Sequence, residues 1–108
     1  MAEKDIERRL AHAVKTELHG WALKLVSPGV AGVPDRLVLL PGGRAVFVEL
    51  KDTGERPRPL QRHIQGRLRK LGFPVWVVDS AEGVRKFIDA EGRMEDEVSA
   101  ARLPGAMH

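Results

Sequence analysis

The sequence contains no cysteine. Disulfides, thiolate zinc sites and a cysteine nucleophile are therefore excluded, and a reducing, cytoplasmic setting is expected. No apolar run approaches the length of a membrane span. The N-terminus "MAEKDIERRL" is charged from its third residue, so no secretion signal is expected either. Internal repeats and low-complexity tracts are missing. The four histidines, His12, His19, His63 and His108, show no metal-ligand spacing. "PGG" is too short to cradle a phosphate, and Ser27 has no visible base partner.

The 108 residues are enough for one domain with one core. Formal charge is only +3, from 18 basic and 15 acidic side chains, but the basic residues are unevenly placed. Between Lys51 and Lys70 stand Lys51, Arg56, Arg58, Arg62, Arg67, Arg69 and Lys70, against only Asp52 and Glu55. A stretch like this can face a phosphate backbone; on charge alone, a solvated helix face is the simpler reading.

Apolar periodicity predicts a helix over 3–18, with Ile6, Leu10, Ala13, Val14 and Leu18 inward and Gly20 as its stop. "WALKLV" reads as a strand and "SPGVAGVP" as a loop. "RLVLL" and "AVFVELK" read as an antiparallel hairpin turning at "PGGR". A helix is expected over 59–71, with Leu60, Ile64, Leu68 and Leu71 inward and Gly72 at its end. "PVWVVD" is a further strand, and "SAEGVRKFIDA" a third helix capped by Ser80. Trp21 and Trp76 are expected to pack in the core. Residues 1–90 then form the domain, and 91–108 a tail that is weakly helical or mobile. The order α-β-β-β-α-β-α predicts one mixed sheet flanked by helices.

Within "GVPDRLVLLPGGRAVFVELK", strand alternation puts Glu49 and Lys51 on one face. The hairpin return brings Asp35 beside them. Charged side chains among buried strands cost several kcal/mol unless compensated. Two carboxylates forced together call for a shared cation, and magnesium takes one or two carboxylates with water and substrate phosphate completing its shell. The Leu50 carbonyl, between the two side chains, is a third candidate oxygen. A bare Glu-x-Lys pattern is common by chance; the preceding "GVPD" and the hairpin spacing make this one more specific.

These residues, followed by "RPLQ", resemble the PD-(D/E)XK nuclease superfamily and within it the VRR-NUC family, especially its small virus-type, stand-alone members. The resemblance runs from the first helix to about Ile88. It implies a restriction-endonuclease-like α-β-β-β-α-β core and metal-dependent hydrolysis of DNA. It assigns Asp35 and Glu49, with the Leu50 carbonyl, to a magnesium or manganese ion, and Lys51 to water activation and charge stabilisation. Gln61 fits the family's glutamine. The family also carries an acidic residue on the first helix. Glu3 and Glu7 both fall in the inward sector of that helix; Glu7 is favoured because it sits further from the fraying start. Arg36, Arg56, Arg58 and Arg62 are expected to hold DNA phosphates.

So small a chain has no room for an elaborate sequence reader, so recognition of DNA shape, such as a junction or flap, is expected. Stand-alone relatives imply a homodimer and a phage or prophage source. Two other classes compete: a nucleic-acid-binding module that keeps this fold without cutting, and an assembly protein whose basic helix binds an acidic partner.

Overall fold

The computed structural model describes residues 1–101. Its elements are α1 (Glu3–Glu17), β1 (Trp21–Lys24), β2 (Arg36–Leu40), β3 (Arg44–Leu50), α2 (Pro59–Lys70), β4 (Val75–Val78) and α3 (Ala81–Ala101). The four strands form one sheet in the order β1-β2-β3-β4. β1, β2 and β3 pair antiparallel, whereas β3 and β4 run parallel. A parallel pair needs a long crossover, and α2 supplies it. This is the mixed, helix-flanked α-β-β-β-α-β core expected from the sequence.

The β2–β3 hairpin holds because its turn contains two glycines in a row. Gly42 and Gly43 adopt φ of 83° and 74°, a conformation that costs a side-chain-bearing residue but not glycine. Register then follows, with Leu40 opposite Arg44 and Arg36 opposite Val48. At the end of α1 the left-handed turn falls on His19, with φ of 54°, one residue before the expected stop. Gly20 serves a different need: a Cβ there would lie 2.6 Å from the Leu39 carbonyl oxygen. Helix α3 begins as expected, with the Ser80 hydroxyl accepting the Gly83 N–H at 2.9 Å.

The two faces of the sheet differ. On one, Val38, Leu40, Val46, Val48, Leu50 and Val78 pack with Ile6, Leu10 and Val14 of α1 and Val84, Phe87 and Ile88 of α3. Trp76 joins this layer edge-on to Phe87. On the other face α2 is the sole helix among the described residues, and it covers only part of the sheet. Ile64 and Gln65 are its buried residues, while Leu60 and Leu71 are exposed, contrary to the expected inward stripe. Trp21, expected in the core, is 66% exposed. It stands opposite Leu39 at the edge strand, on the same face as α2 but left uncovered.

α3 continues past residue 90, into the stretch read from the sequence as a weakly helical or mobile tail. Glu91 is buried and bonded to Arg44 and Trp76. The expectations for 102–108 lie outside the described residues. Among the described residues no helix is long and apolar enough to cross a membrane.

Candidate active site

The end of β3 gathers the residues singled out by the sequence. Asp35 immediately precedes β2, and its backbone carbonyl accepts the Leu25 N–H at 2.8 Å. That bond extends the β1–β2 pairing and fixes Asp35 in place. Its Oδ2 accepts the N–H of Leu50 at 2.7 Å, which draws the carboxylate onto the last turn of β3. Glu49 is 1% exposed. Its Oε2 accepts from Lys51 Nζ at 3.3 Å and from Gln61 Nε2 at 2.7 Å. Leu50, fully buried, separates Glu49 from Lys51 along the chain, and the Lys51 N–H is held by the Val78 carbonyl at 3.1 Å.

Gln61 has a double function. Its Oε1 accepts the Arg58 N–H at 2.8 Å, closing the first turn of α2. Its amide is thereby oriented so that Nε2 can only donate towards Glu49. The loop after β3 and the start of α2 are thus locked to the carboxylate cluster by one side chain.

Around these groups lies an open pocket of about 330 Å³. Glu3, Asp35, Glu49, Asp52 and Glu55 face it, against the cations Lys51 and Arg58, with Gln61 between. Five carboxylates beside two cations make an acidic hollow in a protein of net positive charge. The electrostatic consequence falls on Glu49. Burial, then the neighbouring Asp35 charge, push its carboxyl up to about 7, against the pull of Lys51. Glu3 is raised as well, first by burial and then by Asp35 and Asp52.

One atom of the cluster is left over. Glu49 Oε1 is buried and accepts no hydrogen bond. A buried acceptor without a partner costs about 1–3 kcal/mol, so its persistence at this point asks for a further ligand. Among the described residues no group of three or more histidine, cysteine, aspartate or glutamate side chains is arranged to hold a metal by itself. A hard divalent cation does not require one, since two carboxylates with water and phosphate suffice. The orphaned oxygen and the adjoining Asp35 carboxylate fit that demand.

Two sequence expectations change. Glu7 does not reach the pocket; its Oε2 pairs with Arg36 Nε at 3.1 Å. Glu3, one turn earlier, faces the pocket in its place. Arg36 is correspondingly taken inward: it bonds Glu7 and the Ala22 carbonyl, and its side chain is 17% exposed. It lies on the α1 side of the sheet, opposite Val48, and is not an arginine free to meet phosphate. Arg56, Arg58 and Arg62 remain exposed on the loop and first turns of α2.

Asp52 and Glu55 entered the sequence reading only as the acidic residues of the basic 51–70 stretch and were not assigned to the site, although Asp52 follows Lys51 directly. Its adjacency to the end of β3 was the available signal.

No family model matches the chain. It is 49% identical over 80 residues to a protein described as "Putative nuclease p44" from Acyrthosiphon pisum secondary endosymbiont phage 1, a match covering 74% of this chain and 85% of that protein. A solved structure described as "VRR_NUC domain" superposes with a TM-score of 0.75 at 38% identity, covering 81% of this chain and 94% of that one.

Proposed function

The chain belongs to the VRR-NUC family, and from that premise we propose that it hydrolyses DNA phosphodiester bonds as an endonuclease, using magnesium or manganese held by Asp35 and Glu49. The observation that carries this reading is the buried, unbonded Oε1 of Glu49 beside Asp35 and Lys51. A cation held there would satisfy the orphaned oxygen and offset the repulsion that raises the Glu49 carboxyl.

When bound, the cation supplies Lewis-acid activation of water and neutralises phosphate charge. The protein groups do the rest. Asp35, tied to the Leu50 N–H, and Glu49, tied to Gln61, hold their oxygens at one place without needing to reorganise. Lys51 is aimed into the same place and stabilises the attacking hydroxide and the charge that grows on the phosphorane. The Leu50 carbonyl, between Glu49 and Lys51 in the chain, is the further oxygen assigned to the cation. Glu3 adds a carboxylate from α1, in the part the sequence gave to Glu7. Arg58 at the pocket rim, with Arg56 and Arg62 beside it on the chain, holds flanking phosphates and makes binding fall with salt.

The substrate reading is branched DNA, a junction or flap, recognised by shape through this one small domain. One site cuts one strand, so paired cuts call for a second copy. The half-covered sheet face favours it: Trp21, Leu39 and Phe73 are 66%, 37% and 39% exposed there. A phage or prophage source is in keeping with the phage-encoded relative.

The test is a panel of labelled duplex, flap, splayed-arm and four-way-junction DNAs, incubated with the purified protein and magnesium or manganese. Expected is cleavage of a branched substrate, abolished by chelation. Absence of cutting on every substrate with either metal would overturn the reading. Cutting that persists in chelator would overturn the metal.

A further inference from the structure

Helix α1 begins without a cap of its own. Its N-cap residue is Ala2, whose methyl group accepts no hydrogen bond. The missing acceptor comes from the distant end of β3. Oδ1 of Asp52, the residue after Lys51, takes the backbone N–H of Glu3 at 2.6 Å. Its neighbour fastens the same start: the Thr53 N–H donates to the Met1 carbonyl at 3.1 Å. The Thr53 hydroxyl donates to the Asp79 carbonyl at 2.7 Å, and the Gly54 N–H to the Asp79 carboxylate at 3.2 Å. A three-residue turn thus joins the start of α1 to the ends of β3 and β4.

The residue whose N–H is held is the one that faces the pocket. Glu3 is the first residue of α1, where a helix frays most readily, and its carboxylate overlooks Asp35 and Glu49. Lys51 is fixed from the other side of the same turn by its bond to Val78. Asp52 therefore sets the distance between the helix carboxylate and the strand residues.

We infer that Asp52 is a positioning residue for cleavage: by accepting the Glu3 N–H it pins the first turn of α1, and with it the Glu3 carboxylate, over Asp35 and Glu49. The inference rests on the metal-dependent cleavage proposed above. Its requirement is an oxygen at one point, not a negative charge. Asparagine supplies that oxygen without the charge; glutamate supplies the charge with the oxygen displaced by one methylene.

The experiment compares Asp52→Asn, Asp52→Glu and Asp52→Ala with the unaltered protein. It reads kcat and KM on the DNA that the unaltered protein cuts best, and the exchange rate of the Glu3 amide. The alanine and glutamate variants should lose about ten- to a hundredfold in kcat, the scale of a small misplacement, with KM little changed and the Glu3 amide exchanging faster. The asparagine variant should stay within about threefold of the unaltered protein in both readouts, which is below a displaced group's effect. The Glu3→Gln variant should be slowed no further by adding Asp52→Glu, since the two changes act through one group. Undiminished kcat in both the glutamate and alanine variants overturns the inference while leaving the nuclease reading intact. An asparagine variant as slow as the alanine one also overturns it, by showing that charge is what matters. An unaltered protein that cuts no DNA fails at the control and removes both.

Discussion

β3 carries a charged side chain near each end, and the two ends are finished differently. At its start Arg44 turns to the α1–α3 side and meets Glu91, with Nη1 to Oε1 at 2.6 Å and Nη2 to the Glu91 carbonyl at 3.0 Å. Trp76 Nε1 donates to the second carboxylate oxygen at 3.3 Å. Both carboxylate oxygens of Glu91 are thus accounted for. Near its other end Glu49 turns to the opposite face, equally buried, and keeps one oxygen without a partner. Lys51 and Gln61 share its other oxygen. A buried carboxylate whose bonds are complete acts as a weld between strand and helix. One whose bonds are incomplete, and which is crowded by a second carboxylate, is where we propose a cation binds. Both carboxylates are buried; at the Arg44 end the atom left unpaired is a donor, Arg44 Nε, which no cation can fill, whereas at the Glu49 end it is an acceptor.

The largest effect that sharpens this contrast is chemical. Lys51→Ala should lower the cleavage rate by about a thousandfold, roughly 4 kcal/mol of transition-state stabilisation, the scale of losing one preorganised electrostatic group. Its folding stability should fall modestly, because the buried Glu49 loses its cation partner but can take up a proton in compensation. Single-turnover cleavage and urea unfolding on the same preparation check both halves. A variant that cuts at the normal rate removes Lys51 from the chemistry.

The matching change at the other end is smaller and of another kind. Arg44→Ala leaves Glu91 buried without its cation, a loss of about 3 kcal/mol of stability. The expected fall in melting temperature is about 10 °C or more for a domain of this size. Cleavage by the remaining folded protein at low temperature should be unchanged. Calorimetry and a rate measured well below the transition read the two quantities. A slowed reaction in folded Arg44→Ala would break the division of β3 into a structural and a chemical end.

Much of this was legible in the residues, because the strong signals are local. Gly42-Gly43 between two apolar runs fixes the hairpin, and hairpin register alone brings Asp35 to Glu49. What escaped depends on which face of an element finds a partner. Glu3 and Glu7 share a helical sector, and only the position of Arg36 on the neighbouring strand decides between them. Leu60 and Leu71 follow helical spacing, yet α2 rests on the sheet through Ile64 and Gln65. Trp21 is apolar and on a strand, but the strand is an edge and its outer face has no helix above it. The Arg44–Glu91 weld joins positions 47 apart, with nothing in either local pattern to announce it. Asp52 capping the distant α1 is of the same type.

The smallest effect tests the electrostatic cause of the difference. The Glu49 carboxyl sits at about 7 in the folded protein against an ordinary 4.5. Between those two values the folded state keeps a proton that the unfolded chain has lost, so stability falls as pH rises through that window and stays lower above it. Access of solvent through the pocket mouth reduces the penalty, to about 2 kcal/mol at pH 8. Glu49→Gln should therefore be more stable than the unaltered protein by about that amount at pH 8 and nearly equal to it at pH 4. Manganese should act in the opposite sense: it favours the ionised carboxylate, so it should stabilise the unaltered protein more at pH 8 than at pH 5 and leave Glu49→Gln almost unmoved. Urea titrations at these pH values, with and without the metal, measure all of this. Parallel pH profiles for the two proteins would mean that the Glu49 end of β3 bears no more electrostatic strain than the Glu91 end, and the unbonded oxygen would no longer mark it out as the place for a cation.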